Sequence, residues 1–400
     1  MARTGSAAPV PSGRRLCVVI AAGGTGGHLF PAIALAKALA SGGPDGPTAD
    51  AGEGAGVRLV GRRGGPESAV AAAEGIPFEG LDVTGFKRSA SPRNLLAAAK
   101  GATATIRALG MLRQARADVV VGTGAYVSVP VVAAAGMLRI PLVLHEANAV
   151  PGIANRIAGR WATAVAVSFP GAERWFRVPV TVTGNPIRPE IARLEQASLR
   201  AALRPEGLAH FGLETGRRTL LIFGGSQGAR RVNEAALGDY DRWRSDGRLQ
   251  VLHLVGPKEG AAAGRRLEAL QRPGDRLLWR VVGSTDRMDL AYSAADLTIC
   301  RAGAATLFEV AAAALPAIVV PYSYATADHQ LVNTQPLVEI DAVRRLLDVD
   351  CTPENLAALV EELLFDDAKL SSMSTAVHSF ARPRAAEALA DLVRSVVGSR

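Results

Sequence analysis

The sequence predicts an α/β protein with two Rossmann-like halves, because two series of short apolar strands alternate with alanine-rich helical stretches. The first series places strands at residues 16–21, 58–60, 118–121, 142–144 and 164–167. The second series places them at residues 219–223, 250–255, 277–281, 297–300 and 317–320. Continuous apolar runs of this kind are typical of parallel strands that helices cover on both faces.

Length and composition indicate a folded chain of about two domains, since its 400 residues are 48% hydrophobic and 20% charged. Three scattered cysteines exclude a disulfide scaffold or a cysteine-rich zinc site and fit a reducing compartment. No apolar window approaches the roughly 18 residues that span a bilayer, so any membrane contact should be peripheral. We predict a flexible tail at 1–13 and domains at 14–188 and 189–378, followed by a helical segment at 379–400.

Basic residues are concentrated in the first half of the chain. The formal net charge is +8, and residues 1–188 hold 20 Lys and Arg against 10 Asp and Glu. This asymmetry favours an anionic partner such as a phospholipid, a phosphorylated substrate or a nucleic acid. The sequence contains no recognisable nucleic-acid-binding module, so we expect no nucleic-acid partner.

Three glycine-rich loops each follow a predicted strand, at residues 23–28, 122–126 and 224–228. Glycines let the backbone approach a ligand closely, and the helix after such a loop offers unpaired N–H groups to a phosphate. In the first loop a helix is predicted to begin near Pro31. The second strand ends in Gly61–Arg63 without the acidic residue that binds a dinucleotide's ribose, which argues against a nicotinamide cofactor.

A fourth loop joins the strand that ends at Cys300 to a helix predicted to begin near Ala304. The start of that helix can neutralise a diphosphate without a metal ion. Glu309 lies one turn further along a largely apolar helix. A buried carboxylate without a partner is costly, so a ligand with hydroxyl groups, such as a ribose, is the better account of Glu309.

Other polar side chains follow predicted strands and are candidates for chemistry. His28, at the end of the first loop, can act as a base or contact a substrate, because histidine titrates near neutral pH. His145, Glu146 and Asn148 follow the strand at 142–144 and offer a base, a carboxylate and an amide at one sheet edge. Arg188 at the domain junction can meet a phosphate. The loop after the strand at 317–320 carries Asp328, His329, Gln330 and Asn333, which can contact sugar hydroxyls.

The order and spacing of these motifs resemble the MurG family, which transfers N-acetylglucosamine (GlcNAc) from UDP-GlcNAc to lipid I and thereby makes lipid II for peptidoglycan. The resemblance covers roughly residues 16–340. It rests on GGTGGHLFPAIALA, GTGAYVS, LHEANAVPGIANR, GNPIR, GGSQGARRVN, ADLTICRAGAATLFEVAA and DHQLVN.

The resemblance implies a GT-B fold, with an N-terminal acceptor domain and a C-terminal donor domain facing a central cleft. It also implies that the terminal helix packs back on the first domain. The implied UDP-GlcNAc contacts are Thr25, Gly26, Gly27, Asn148, Arg188, Ser226, Thr285, Ala304, Ala305, Thr306, Leu307, Phe308, Glu309 and Gln330. Glu309 would hold the ribose and Gln330 the GlcNAc hydroxyls. The acceptor would meet Gly122, Thr123, Gly124, Ala125, Tyr126 and His145.

The chemistry implied by the family is a single inverting displacement. The 4-hydroxyl of N-acetylmuramic acid in undecaprenyl-diphosphate-MurNAc-pentapeptide attacks the anomeric carbon of GlcNAc, and UDP leaves. His28 is the first candidate for the base and Glu146 the second. No cofactor or metal is expected, and no D-x-D triplet occurs in the sequence.

The implied location is the cytoplasmic face of the cell membrane, held peripherally by anionic inner-leaflet lipids. Arg93, Lys100 and Arg107 recur every seven residues along a predicted helix, following Phe86-Lys87-Arg88. An apolar stripe that includes Leu95, Ala102 and Ile106 runs beside them. A basic stripe of this kind can lie on anionic headgroups, and an ordinary amphipathic helix packed on its own sheet has the same pattern.

Two departures from the family pattern concern the acceptor. Ala125 stands where a third glycine is expected, and residues 339–343 replace the usual Ala-Gly-Ala stretch. They leave open a paralogue that serves another wall or antibiotic pathway. Three further alternatives remain: another GT-B UDP-sugar transferase acting on a natural product or lipid, a UDP-GlcNAc epimerase on the same fold, and a catalytically inactive scaffold.

Overall fold

The computed structural model describes residues 15–23, 26–41, 55–84, 92–224, 229–323 and 328–398, with the backbone alone for residues 92–96. The predicted tail at 1–13 lies outside these ranges. The chain folds into two compact units, the first formed by residues 1–188 and 384–400 and the second by residues 189–383.

The described part of the first unit contains a seven-stranded parallel sheet in the order β3-β2-β1-β4-β5-β6-β7. Its strands are β1 (Cys17–Ala21), β2 (Gly56–Arg62), β3 (Phe78–Leu81), β4 (Val119–Gly122), β5 (Leu142–Glu146), β6 (Ala164–Val167) and β7 (Val180–Val182). Its first helices are α1 (Gly26–Ala40), α2 (Pro66–Ala73), α3 (Pro92–Ala115), α4 (Ser128–Leu138) and α5 (Ile153–Ala158). The strand order reverses direction between β1 and β4, which is where ligands bind in open sheets of this type.

The second unit holds a six-stranded parallel sheet in the order β10-β9-β8-β11-β12-β13 in its described residues. The strands are β8 (Arg218–Phe223), β9 (Leu249–Leu254), β10 (Leu278–Val282), β11 (Leu297–Arg301), β12 (Ala317–Val320) and β13 (Val343–Arg345). The helices are α6 (Pro189–Ala192), α7 (Ala197–His210), α8 (Arg230–Gly238), α9 (Tyr240–Trp243), α10 (Gly260–Leu270), α11 (Met288–Ala294), α12 (Ala304–Ala312), α13 (His329–Glu339), α14 (Pro353–Leu364) and α15 (Asp367–Ser379).

A last helix, α16 (Ala385–Gly398), belongs to the first unit and completes its core. Leu389, Ala390 and Val393 of α16 are buried in one cluster with Val18 and Ile20 of β1. The opposite face of β1, formed by Val19 and Ala21, belongs to a second cluster that includes residues of α3 and α4. The first sheet is therefore covered by helices on both faces, as continuous apolar strands require.

The α/β class with two parallel sheets is confirmed, and every predicted strand overlaps an observed one. The predicted start of the first helix near Pro31 is wrong, because α1 already includes Gly26. Pro31 lies inside the helix, where its missing N–H leaves the carbonyl of Gly27 without its usual helical donor. The helix thus begins within the predicted glycine loop and not several residues beyond it.

Among the described residues, no helix combines the length and the apolar character needed to cross a membrane.

Asp239, between α8 and α9, is a buried carboxyl group whose Oδ2 accepts no hydrogen bond from the described residues. Burial raises its pKa to about 7; Arg242 acts in the opposite direction, while Glu354 and Glu361 reinforce the rise. The folded state therefore binds a proton more tightly than the unfolded chain, so stability falls as the pH rises from about 4 towards 7.

Replacing Asp239 with Asn removes this titration, so the variant should gain stability relative to the wild type as the pH rises. We expect the difference in unfolding free energy to shift in favour of the variant by about 2 kcal/mol between pH 5 and pH 8, or a few degrees in Tm. Scanning calorimetry of both proteins at the two pH values measures this shift. Asp241→Asn, at an exposed position two residues away, is the control, and an equal shift in both variants would contradict the assignment.

Candidate functional site

The predicted polar residues of the first unit gather at the carboxyl ends of β1, β4 and β5. These three strands are adjacent, since β1 pairs with β4 and β4 pairs with β5. His28 lies half-buried in the first turn of α1, and the loop at 122–126 joins β4 to α4. His145 and Glu146 are the last two residues of β5.

The loop from β4 to α4 is shaped by close packing. Gly124 has a φ of +86°, and a Cβ there would lie 2.6 Å from the amide nitrogen of Asn155. Gly122 is held against Val132, which would lie 2.9 Å from an added Cβ. The backbone N–H and the hydroxyl of Thr123 both donate to the carbonyl of Ala21, at 3.1 and 3.3 Å. Of the predicted acceptor residues in this loop, Ala125 is buried and only Tyr126 is exposed.

His145 is a buried, neutral imidazole. Burial and, to a smaller extent, the nearby His28 lower its pKa to about 3, while the backbone of Gly184 acts in the opposite direction. Its Nε2 lies 3.2 Å from the hydroxyl of Ser168, which in turn donates to Oδ1 of Asn185 at 3.3 Å. The structure therefore brings the two predicted histidines together and fixes the ring of His145 through Ser168.

Glu146 is almost fully buried and accepts four hydrogen bonds. Oε1 accepts from the backbone and side-chain nitrogens of Asn148 at 2.9 and 3.3 Å. Oε2 accepts from the backbone of Gly152 at 3.1 Å and from Nδ2 of Asn155 at 2.9 Å. Burial raises the pKa of Glu146, and these donors oppose the rise. Both oxygens are engaged in fixing the loop that follows β5, so this geometry favours a positioning role over the predicted role as a base.

Further predicted residues of this unit lie close to the same edge, and among them Gly26 and Gly27 are the first two residues of α1. Asn148 is held by Glu146 through both of its nitrogens. Arg188 lies with its guanidinium carbon 5.1 Å from the centre of the Phe30 ring, and Phe30 belongs to α1. Thr25, predicted to contact the donor, lies outside the described residues.

In the second unit the chain leaves β11 at Arg301 and begins α12 at Ala304, as the sequence indicated. Gly303, the residue that precedes α12, has an extended backbone with φ −68° and ψ 141°. Ala305 and Thr306, in the first turn of the helix, are half-buried. The side chains of Leu307 and Phe308 are buried in the core, and Phe308 packs 5.0 Å from Phe380. The backbone N–H of Leu307 already donates to the carbonyl of Gly303 at 3.0 Å, so the N–H groups that this helix start can offer to a ligand belong to the residues before Leu307.

Glu309 is buried and has a protein partner, Tyr292, whose hydroxyl donates to Oε2 at 2.9 Å. The premise that Glu309 lacks a partner in the protein is therefore wrong. Glu309 also lies close enough to Cys300 to reinforce the effect of burial, which raises the pKa of that thiol to about 12. Sequence analysis missed Tyr292, because nothing in the spacing links α11 to α12.

Thr285 and Gln330 are the other predicted donor contacts of the second unit. The hydroxyl of Thr285 accepts from the backbone of Arg287 at 3.0 Å, and Thr285 lines an open pocket of about 570 Å³ with Phe211 and Arg280 among its other residues. The side-chain oxygen of Gln330 accepts from the backbone of Tyr322 at 2.9 Å. Ser226, the remaining predicted contact, lies outside the described residues.

Glu67, in the first turn of α2, is a buried carboxylate that sequence analysis also missed. Its side chain lies against Gly23, at the exit of β1. An acidic residue after Gly-Gly-Pro is the ordinary start of a helix, so the sequence offered no signal that this one is buried.

Within the described residues, no three His, Cys, Asp or Glu side chains are grouped so that they could hold a metal ion. The expectation of a metal-free site stays a prediction.

The two parallel sheets are those of the GT-B fold, and matches to two family models identify the class of protein as a glycosyltransferase of that fold. Residues 18–167 match the model of the glycosyltransferase family 28 N-terminal domain, and residues 219–389 match that of the family 28 C-terminal domain. Among solved structures, the crystal structure of Acinetobacter baumannii MurG covers 96% of this chain and all of that one, with a TM-score of 0.74 and 30% identity.

Two relatives with the same assigned name identify the family more specifically. A protein of Halothermothrix orenii is 36% identical over 381 residues, covering 94% of this chain and 98% of its own length. A protein of Clavibacter sepedonicus is 39% identical over 387 residues, covering 96% and 97%. Both are named UDP-N-acetylglucosamine–N-acetylmuramyl-(pentapeptide) pyrophosphoryl-undecaprenol N-acetylglucosamine transferase. The chain belongs to this family, the MurG family.

The hydrogen bonds around Glu146 predict a stability cost for Asn155→Ala. The substitution removes a donor from a buried carboxylate, and Asn155 also donates to the carbonyl of His145 at 3.1 Å. We expect the free energy of unfolding to fall by about 1–3 kcal/mol, measured by urea denaturation. Asn355→Ala removes a comparable bond from an exposed Asn, to the carbonyl of Asp350, and is the control. Equal losses for the two variants would argue against a special role for the Glu146 cluster.

Proposed function

We propose that this protein transfers GlcNAc from UDP-GlcNAc to the 4-hydroxyl of MurNAc in undecaprenyl-diphosphate-MurNAc-pentapeptide, with inversion at the anomeric carbon. The observation that carries the proposal is full-length similarity to relatives named for this transfer, at 36% identity over 381 residues in one case. The arrangement of polar residues in each unit supports it.

The donor contacts of the second unit centre on α12. The start of a helix carries about half a positive charge and several unpaired N–H groups, which suits the diphosphate of UDP and the charge that develops as UDP leaves. One turn further on, Glu309 is oriented by Tyr292. A carboxylate held in this way can accept hydrogen bonds from both hydroxyls of a ribose. Gln330 is proposed to contact the hydroxyls of GlcNAc.

The acceptor contacts are proposed for the first unit, at the carboxyl ends of β1, β4 and β5. His28 is the proposed base: it takes the proton of the attacking hydroxyl as that oxygen bonds to the anomeric carbon and the bond to UDP breaks. His145 is neutral and fixed beside it. A neutral neighbour adds no positive charge next to a histidine that must accept a proton.

The test is incubation of the purified protein with UDP-GlcNAc and a lipid I analogue. We expect a β-1,4-linked disaccharide and one UDP per transfer, and a fall in kcat of about a hundredfold or more for His28→Ala with unchanged affinity for UDP. His378→Ala, at an exposed position of α15, is the control. Mass spectrometry and NMR identify the product.

Other products would contradict the proposal in distinct ways. Conversion of UDP-GlcNAc to an epimer without transfer would assign the protein to the epimerases, which share the fold. Binding of UDP-GlcNAc without turnover would indicate a scaffold. Full turnover of His28→Ala would remove His28 from the role of base and leave the reaction in place.

A peripheral site on anionic membrane lipids is proposed for the first unit, on an apolar patch formed by Met137, Ile153, Ile157 and Trp161. These side chains are 67%, 78%, 45% and 48% exposed. Ile153 and Ile157 share one face of α5, and the ring of Trp161 lies against Gly136, next to Met137. Arg139, Arg156 and Arg160 are exposed beside these residues in the sequence. Exposed apolar side chains among arginines suit a surface of anionic headgroups.

The basic stripe that the sequence indicated on α3 offers weaker support. Lys100 pairs with Asp82 at 3.2 Å, and Arg107 lies 3.8 Å from Glu79. These acidic partners offset the charge that would attract anionic lipid. The side chain of Arg93 and residues 86–88 lie outside what the structure describes. Ile106, at 69% exposure, shows that part of the predicted apolar stripe faces outwards.

Removing apolar surface from this patch should weaken binding to vesicles. We expect Met137→Ser combined with Ile153→Ser to lower the affinity for phosphatidylglycerol-containing vesicles about tenfold or more, measured by co-sedimentation. Both positions are exposed, so the fold should tolerate the change. Val349→Ser, 65% exposed in the second unit, is the matched control. Unchanged binding by the double variant would rule out this patch as the membrane contact.

A further inference from the structure

Glu67 occupies a space that three glycines leave open. A Cβ on Gly23 would lie 2.5 Å from Oε1 of Glu67, and a Cβ on Gly65 would overlap Oε2. A Cβ on Gly61 would lie 2.8 Å from Cε2 of Phe78 and 3.1 Å from the Cβ of Glu67. Glu67 is only 1% exposed. The exit of β1 and the start of α2 therefore pack against the carboxylate, and the end of β2 packs against the base of the same side chain.

Backbone conformation does not explain two of these glycines. Gly65 has a φ of −82°, and Gly23 is not among the residues with positive φ. Neither position requires the left-handed backbone that favours glycine, and the carboxylate of Glu67 is the group that a Cβ would meet most closely at both; at Gly65 the carbonyl of Arg62 would also lie 3.1 Å away. The other near contact of Gly23 is ordinary packing, at 3.4 Å from Val127 in the loop before α4.

Burial of a carboxylate is costly, and the place of Glu67 in the fold reduces that cost. It lies in the first turn of α2, where the helix end favours a negative charge. An apolar side chain would fill the same space without this cost. The buried charge of Glu67 is therefore better explained by the backbone segments that it positions than by a gain in stability.

We propose that Glu67 is a positioning residue for the exit of β1, and through it for the start of α1 and His28. The carboxylate packs against Gly23, three residues before α1 begins at Gly26. A displacement of Gly23 would therefore displace the start of α1, the helix that carries the proposed base His28. The effect on catalysis rests on the proposed function, whereas the effect on the order of α1 does not.

A double-mutant cycle tests the contact. Gly23→Ala should lower kcat for transfer to a lipid I analogue about tenfold or more, because the new methyl group meets Oε1. In a Glu67→Ala background, where that oxygen is gone, the same substitution should change kcat less than twofold. Glu67→Ala alone should lower kcat about tenfold. Equal costs of Gly23→Ala in both backgrounds would overturn the proposal.

Hydrogen exchange provides a measurement that does not depend on turnover. Amides in the second turn of α1, which are the first to donate to carbonyls within the helix, should exchange at least tenfold faster in Glu67→Ala than in the wild type. Glu74→Ala is the control, since Glu74 ends the same helix, is partly exposed and pairs with Lys37 at 2.7 Å. A variant with a lower Tm but unchanged exchange in α1 and unchanged kcat would show a purely structural Glu67 and overturn the proposal. A wild type without transfer would overturn the proposed function alone.

Discussion

The hydrogen bonds required by one buried carboxylate determine the structure of the first sheet's edge at which the proposed acceptor contacts lie. Glu146 ends β5 with both oxygens shielded from water, and four donors from the following loop and α5 converge on it. That convergence sets the place of Asn148 directly. Asn155, one of the donors, also fills the space beside Gly124 and so shapes the loop after β4. One unmet charge would thus disturb two of the three strand ends where the proposed acceptor contacts lie.

The two units satisfy buried acids in different ways, and the difference matches their proposed tasks. Glu146 is surrounded by neutral amides that hold it still. Glu309 has Tyr292 on Oε2, a partner that orients the carboxylate and belongs to a neighbouring helix of the same unit. A group that must receive hydroxyls from a ligand benefits from being held in one orientation before the ligand arrives.

The central strands of both sheets could be predicted from the sequence, and most edge strands could not. Nine of the ten predicted strands lie inside a sheet, where burial on both faces favours an unbroken apolar run; β10 is the one predicted strand at a sheet edge. The three missed strands, β3, β7 and β13, are all at sheet edges and are short and partly exposed, so their sequences FEGL, VTV and VRR lack that signal. The same limit applies to the site. Glycine loops and strand ends are local patterns, whereas the pairing of Glu309 with Tyr292 and the packing of Glu67 against Gly23 join segments that are distant in the chain.

Because α16 belongs to the first unit, the two units complete their folding in a different order from that in which they are synthesised. The second unit is continuous in the chain and can complete its core as soon as residue 383 has left the ribosome. The first unit is made earlier, yet part of its apolar surface stays uncovered until Leu389 and Val393 are available. During translation the earlier unit is therefore the later one to mature, and its exposed face is where a chaperone would be needed.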